Sequence, residues 1–115
     1  MKIHSELPDI ATVRASANEA CTMLKTLANE DRLLILCQLS EGSKNVGELE
    51  ALLKIRQPTL SQQLTVLREE KLVKTERKGK YIFYSLESME AARLWKLYLN
   101  YTAMTIRHNS QLITQ

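Results

Sequence analysis

Glycine and proline are scarce in this chain, three of the first and two of the second among 115 residues. That scarcity disfavours a loop-rich or many-stranded fold and favours helices. Cysteine is as rare, and two such residues are too few for a disulfide scaffold. No run approaches the roughly 18–20 apolar residues that a membrane span needs, so no membrane partner is expected. The opening MKIHSELPDI has no apolar stretch of the secretory kind, which makes the cytoplasm the expected compartment. There is no Ser/His/Asp set, phosphate loop or paired-carboxylate constellation, so neither an enzyme nor a cofactor is expected.

What is present is an ordinary globular composition, 44% hydrophobic and 25% charged. The length suits one compact domain, read as residues 11–115 behind a loose arm over residues 1–10. The net charge of +3 is unevenly spread. Residues 54–80 hold eight basic side chains against three acidic ones, a net +5, and the rest of the chain is left at −2. Such asymmetry is the footprint expected where a polyanion docks, although a solvated charged face would look the same.

Apolar periodicity predicts a helix from Ile10 to Ala28, carried by Ala17, Ala20, Cys21, Leu24 and Leu27. Asn29-Glu30-Asp31 interrupts it and caps a second helix with the stripe Leu33, Leu36, Cys37 and Leu39, closed by Gly42. Asn45 and Glu48 resemble a capping box for a short helix Val46–Leu53. Four residues later Pro58 suits the first position of another helix, with Leu60, Leu64 and Leu67 inward and an end near Glu70. Two short helices joined this tightly form a helix-turn-helix signature. The period then changes: Val73–Arg77 and Tyr81–Leu86 alternate as strands around a Lys78-Gly79 turn.

A basic-tipped hairpin after a helix-turn-helix gives the expected fold, mainly α with a small β-hairpin, a winged helix-turn-helix. A last helix from Met89 to about Arg107 is apolar on two sides, along Leu94, Leu97, Tyr101 and Met104 and along Trp95, Leu99 and Ile106. A domain this small cannot surround such a helix, so a second copy is the natural cover. The expectation is a homodimer formed through the N- and C-terminal helices, with Leu94, Leu97, Tyr98, Tyr101 and Met104 in the interface.

The run Leu24-Lys25-Thr26-Leu27-Ala28-Asn29-Glu30-Asp31-Arg32-Leu33-Leu34-Ile35-Leu36-Cys37, followed by Val46-Gly47-Glu48-Leu49, resembles the ArsR/SmtB-type bacterial repressors. So do Gln57–Arg68 and Gly79–Leu86, and the likeness spans roughly residues 15–106. It leans to the non-metal branch typified by BigR, SqrR, HlyU and NolR. The resemblance implies a winged-helix dimer that sits on operator DNA and leaves it when an inducer arrives. The residues agree with that expectation. Gln57, Thr59, Ser61, Gln62 and Gln63 are side chains that can reach base edges in a major groove. Arg68, Lys74, Arg77, Lys78 and Lys80 are placed for phosphates or the adjacent minor groove. A two-fold dimer would read a pseudo-palindromic duplex with half-sites about one helical turn apart. A winged-helix module that meets an acidic protein surface is the alternative.

The family's metal sites have no counterpart here. Lys44–Leu49 lacks the thiol cluster of one, and the last helix offers only His108 toward the other, with His4 in the arm. In the BigR/SqrR pattern a sensing cysteine is matched by Cys37, but its partner position holds Ala103. Cys21 could substitute, since the break at Asn29 lies eight residues from each cysteine. A bridge would need Cα atoms about 4.4–6.8 Å apart. The other readings are two small buried hydrophobes, or modification of Cys37 alone.

Overall fold

A computed structural model describes residues 8–114, with side chains for all of these except Glu90 and residues 110–114. The arm expected over residues 1–10 lies mostly outside the described residues. Helix α1 runs over Ile10–Leu27 and starts where Asp9 accepts the Thr12 N–H at 2.8 Å. That backbone bond holds the Asp9 carboxyl below the ordinary carboxylate range. Asn29 caps α2 (Glu30–Leu39) in the same way, through the Arg32 N–H at 3.0 Å.

Helix α3 (Val46–Leu53) begins in a full capping box. Asn45 Oδ1 accepts from Glu48 N at 2.8 Å, and Glu48 Oε1 accepts from Asn45 N at 2.9 Å. Helix α4 (Thr59–Glu69) starts one residue later than the sequence suggests, because Pro58 occupies the cap position. Strands β2 (Val73–Lys78) and β3 (Tyr81–Leu86) close on Lys78 opposite Tyr81, so the turn is Gly79-Lys80, shifted one residue from the expected Lys78-Gly79. Gly79 has φ +64°, a left-handed conformation that a residue without Cβ adopts freely. The last helix, α5, spans Met89–Thr114.

A further strand, β1 (Lys44–Asn45), pairs antiparallel with β3, giving the order β1-β3-β2. Lys44 faces Tyr84 and Asn45 faces Phe83, so the residue that caps α3 is also the end of the sheet. The core centres on α2, where Ile35 and Leu36 are fully buried beneath Leu49, Leu60, Leu64 and Leu67. Ile35 lies outside the expected stripe because α2 is packed by α3, α4, β3 and α5, and one face is too narrow for all of them.

Two helices are not covered by this core. α1 buries only Thr26 and Leu27, and Leu24 remains 59% exposed. On α5, Ala92 and Trp95 turn inward, whereas Leu94, Leu97, Tyr98, Tyr101 and Met104 face outward. The radius of gyration, 17.4 Å, exceeds the roughly 13 Å of a compact chain of this length. The excess length lies in helices whose apolar sides stand open.

Candidate nucleic-acid interface

Helix α4 divides cleanly. Leu60, Leu64 and Leu67 are buried, and Thr59, Ser61, Gln62, Thr65 and Arg68 are exposed. The three leucines recur at helical spacing and seat the helix on α2, which leaves its polar face outward. Pro58 provides no side-chain cap. Gln57 does that work instead, its Oε1 accepting the Ser61 N–H at 3.1 Å. Thr65 Oγ1 donates to the Ser61 carbonyl at 2.9 Å. Gln63 is half-buried, and its Oε1 accepts from Arg32 Nη1 at 2.9 Å. The five polar side chains that the sequence places together are therefore not equivalent. Gln57 and Gln63 are tied back to the protein, and Thr59, Ser61 and Gln62 lie on the exposed face.

The hairpin stands beside this helix. Leu72 N donates to the Leu67 carbonyl at 2.9 Å, and Glu87 N to the Leu72 carbonyl at 2.9 Å, which fixes the base of the hairpin against the end of α4. A shallow cleft of about 300 Å³ separates the two, lined by Leu64, Thr65, Arg68, Glu69 and Tyr84. Pleating puts Lys74 and Lys78 on one face of β2 and Arg77 on the other. At the tip Arg77 Nε donates to the Gly79 carbonyl at 3.1 Å. Lys78 Nζ sits 5.4 Å from the Phe83 ring centre, and Lys80 Nζ lies at the same distance from Tyr81. All eight basic residues of segment 54–80 are exposed, so the local +5 is a surface charge.

The cysteines are apart in character. Cys21 is an exposed free thiol on α1, and Cys37 is a half-buried free thiol packed against the core from α2. Burial pushes the Cys37 thiol up from its ordinary value, and the Lys96 ammonium on α5 opposes this. Ala103, at the partner position of the resemblance, is exposed on α5. Among the described residues no three His, Cys, Asp or Glu side chains converge as metal ligands; His108 is exposed, and His4 lies outside them. Among those residues no helix is long and apolar enough to cross a membrane.

Sequence reasoning missed Arg32. Its partner lies thirty-one positions away on another helix, and no local signal connects the two.

A tight helix pair with a polar second helix, followed by a cationic hairpin, defines the winged helix-turn-helix class. The model of the bacterial regulatory proteins of the arsR family matches residues 29–75. The chain is also 53% identical over 89 residues to the biofilm growth-associated repressor of Agrobacterium fabrum, an overlap of 77% of this chain and 75% of that one. It belongs to the arsR family and is a transcription regulator of that family, not an enzyme. The crystal structure of the transcriptional repressor BigR from Xylella fastidiosa matches with a TM-score of 0.71 at 47% identity, covering 78% of this chain and 92% of that chain. The homodimeric winged helix-turn-helix DNA-binding domain Mb0332 from Mycobacterium bovis, solved by NMR, matches with a TM-score of 0.71 at 26% identity, covering 84% and 89%. The fold class and family read from the sequence stand.

Proposed function

We infer that this chain is a dimeric, cytoplasmic repressor that holds a pseudo-palindromic double-stranded operator and leaves it when an inducing signal arrives. The observation that carries this reading is the exposed polar face of α4 standing beside a hairpin of the same positive surface. Thr59, Ser61 and Gln62 read base edges in the major groove, with Gln57 and Gln63 at the margin of that contact. Lys74, Arg77, Lys78 and Lys80 hold phosphates flanking it, and Arg68 does so from the cleft side. The two relatives compared in detail are named as repressors, and Mb0332 is described as homodimeric.

The dimer forms through α1 and α5. Burying Leu94, Leu97, Tyr98, Tyr101 and Met104 against a second copy contributes roughly 1.5–3 kcal/mol for each fully covered side chain. Such a seam supplies the cover that the protomer itself lacks.

The signal we assign is oxidation or reactive-sulfur modification of Cys37, with Cys21 as a second thiol. Cys37 packs against the core from α2, the helix on which α4 rests. Added atoms there overpack the site by about 1–3 kcal/mol and shift that support. A specific observation favours a second reading, a repressor whose inducer is not thiol-directed: burial keeps Cys37 protonated, and α5 offers Ala103 where a bridge would need a thiol.

The test of operator binding is the pair Gln62→Ala and Gln63→Ala, measured on duplex from the protein's own promoter. Affinity should fall while the dimer persists, and unaltered affinity would refute the reading helix. A steep salt dependence with a large specific-to-nonspecific ratio excludes a protein-binding module. Mass spectrometry after peroxide or polysulfide treatment decides the signal. A capped Cys37 or a Cys21–Cys37 crosslink supports the thiol trigger, and unmodified thiols with unchanged DNA affinity favour the second reading.

A further inference from the structure

Arg32, near the start of α2, reaches in two directions at once. Its Nε donates to the Thr26 carbonyl at 2.6 Å, and Nη2 approaches the Lys25 carbonyl at 3.4 Å, both in the last turn of α1. Its Nη1 donates to Gln63 Oε1 at 2.9 Å on α4. A guanidinium carries five donors and no acceptor, so the atom it meets on Gln63 must be the amide oxygen. The amide is thereby oriented. Its oxygen is engaged by α2, and its NH2 is the end that this contact leaves free, on a half-buried side chain at the edge of the polar face. Neighbouring Gln62, wholly on the exposed face, has no such tether to α2.

The distinction matters for reading a base. Glutamine recognises adenine with both ends of its amide, donating to N7 and accepting from the N6 amino group. We propose that Arg32 is a specificity-positioning residue that fixes Gln63 as a hydrogen-bond donor toward the operator. The proposal rests on α4 lying in the major groove, as inferred above. At the base that Gln63 faces, a lone amide nitrogen suits guanine, with N7 and O6 as acceptors, or the O4 of thymine. It forfeits the two-ended adenine pair and meets the N4 amino group of cytosine donor to donor. Because the same guanidinium grips the end of α1, the fixed amide is referenced to a helix of the proposed dimer seam.

The experiment uses the full chain and a duplex selected from a random pool by the wild-type protein. Each base pair of one half-site is then replaced by the other three, and affinities are measured at one salt concentration. Wild type, Arg32→Met, Gln63→Met and the double variant are compared, with light scattering and thermal unfolding confirming folded dimers. Freeing the amide oxygen in Arg32→Met should improve adenine relative to guanine about tenfold at one position per half-site, and leave the remaining profile as in wild type. Gln63→Met should flatten preference at that same position, and the double variant should match it. Uniform weakening of Arg32→Met with the wild-type profile overturns the proposal, as does any effect of Arg32→Met on base preference in the Gln63→Met background. Should Arg32→Met not fold, Arg32→Lys keeps a cation near Thr26 without the fork and provides the same readout. A selection that recovers no preferred sequence for wild type refutes the DNA reading itself, and this proposal with it.

Discussion

Replacing Lys78 and Lys80 together by alanine separates electrostatic holding from folding. Each ammonium lies 5.4 Å from an aromatic ring centre on β3, at an exposed site. Loss of two such contacts costs about 1–2 kcal/mol, small beside the roughly 5–15 kcal/mol stability of a domain, so the variant stays folded. If each lysine neutralises one phosphate, a dimer loses four. The slope of log affinity against log salt then becomes shallower by about 3.6. Between 50 and 200 mM salt, that difference shrinks the wild-type advantage about 150-fold. Fluorescence anisotropy of a labelled operator duplex, titrated across that range, reads it directly. Parallel salt lines for wild type and variant would refute the placement of the hairpin tip on the phosphates, whatever the affinities themselves.

Three further outcomes are expected. The double variant Leu97→Glu, Tyr101→Glu places charge on residues 72% and 67% exposed in the protomer, and light scattering should find monomers that have lost specific duplex binding. Leu64→Ala, at a site only 1% exposed beneath the polar face of α4, should lower stability by about 2–5 kcal/mol, seen as an earlier urea midpoint. The third concerns Cys37, where burial favours the neutral thiol. The folded state therefore keeps that proton to higher pH than the unfolded chain. This contribution to stability is complete below the ordinary thiol range and is lost as pH rises through it to the raised folded value. Cys37→Ser should remove that alkaline fall, and alkylation of Cys37 in wild type should lag behind the exposed Cys21 at neutral pH.

Much of this architecture is written locally. Asn45 and Glu48 make both bonds of a capping box, and the helix they start has the bounds Val46–Leu53 that the residues alone indicate. The concentration of charge over residues 54–80 likewise survives folding as surface, because none of those basic side chains is drawn into the core. Where local signals compete, the reading slips. Pro58 suits a first helical turn, but the side-chain oxygen of Gln57 accepts the Ser61 N–H and the helix begins one residue later. Strand β1 has only two residues and no alternation of its own, and it exists because β3 offers it an edge. Ile35 is hidden for a related reason, since a helix wrapped by several neighbours buries residues that a single stripe omits. The unequal glutamines are the least legible of all. Their difference is set by an arginine on another helix, a contact that only the folded chain creates.

Asn45 belongs at once to the cap of α3 and to the edge of the three-stranded sheet, opposite Phe83. A pull on the hairpin is therefore felt by the first helix of the reading pair within a single residue. In the complex proposed above, helix and hairpin would meet DNA as one unit. Two such units on a duplex whose half-sites repeat at a fixed pitch would fit at only one spacing. A signal acting on the proposed dimer would not need to deform either unit: a small change of angle at an α1/α5 seam, carried along a protomer 55 Å in its longest dimension, would unseat both together.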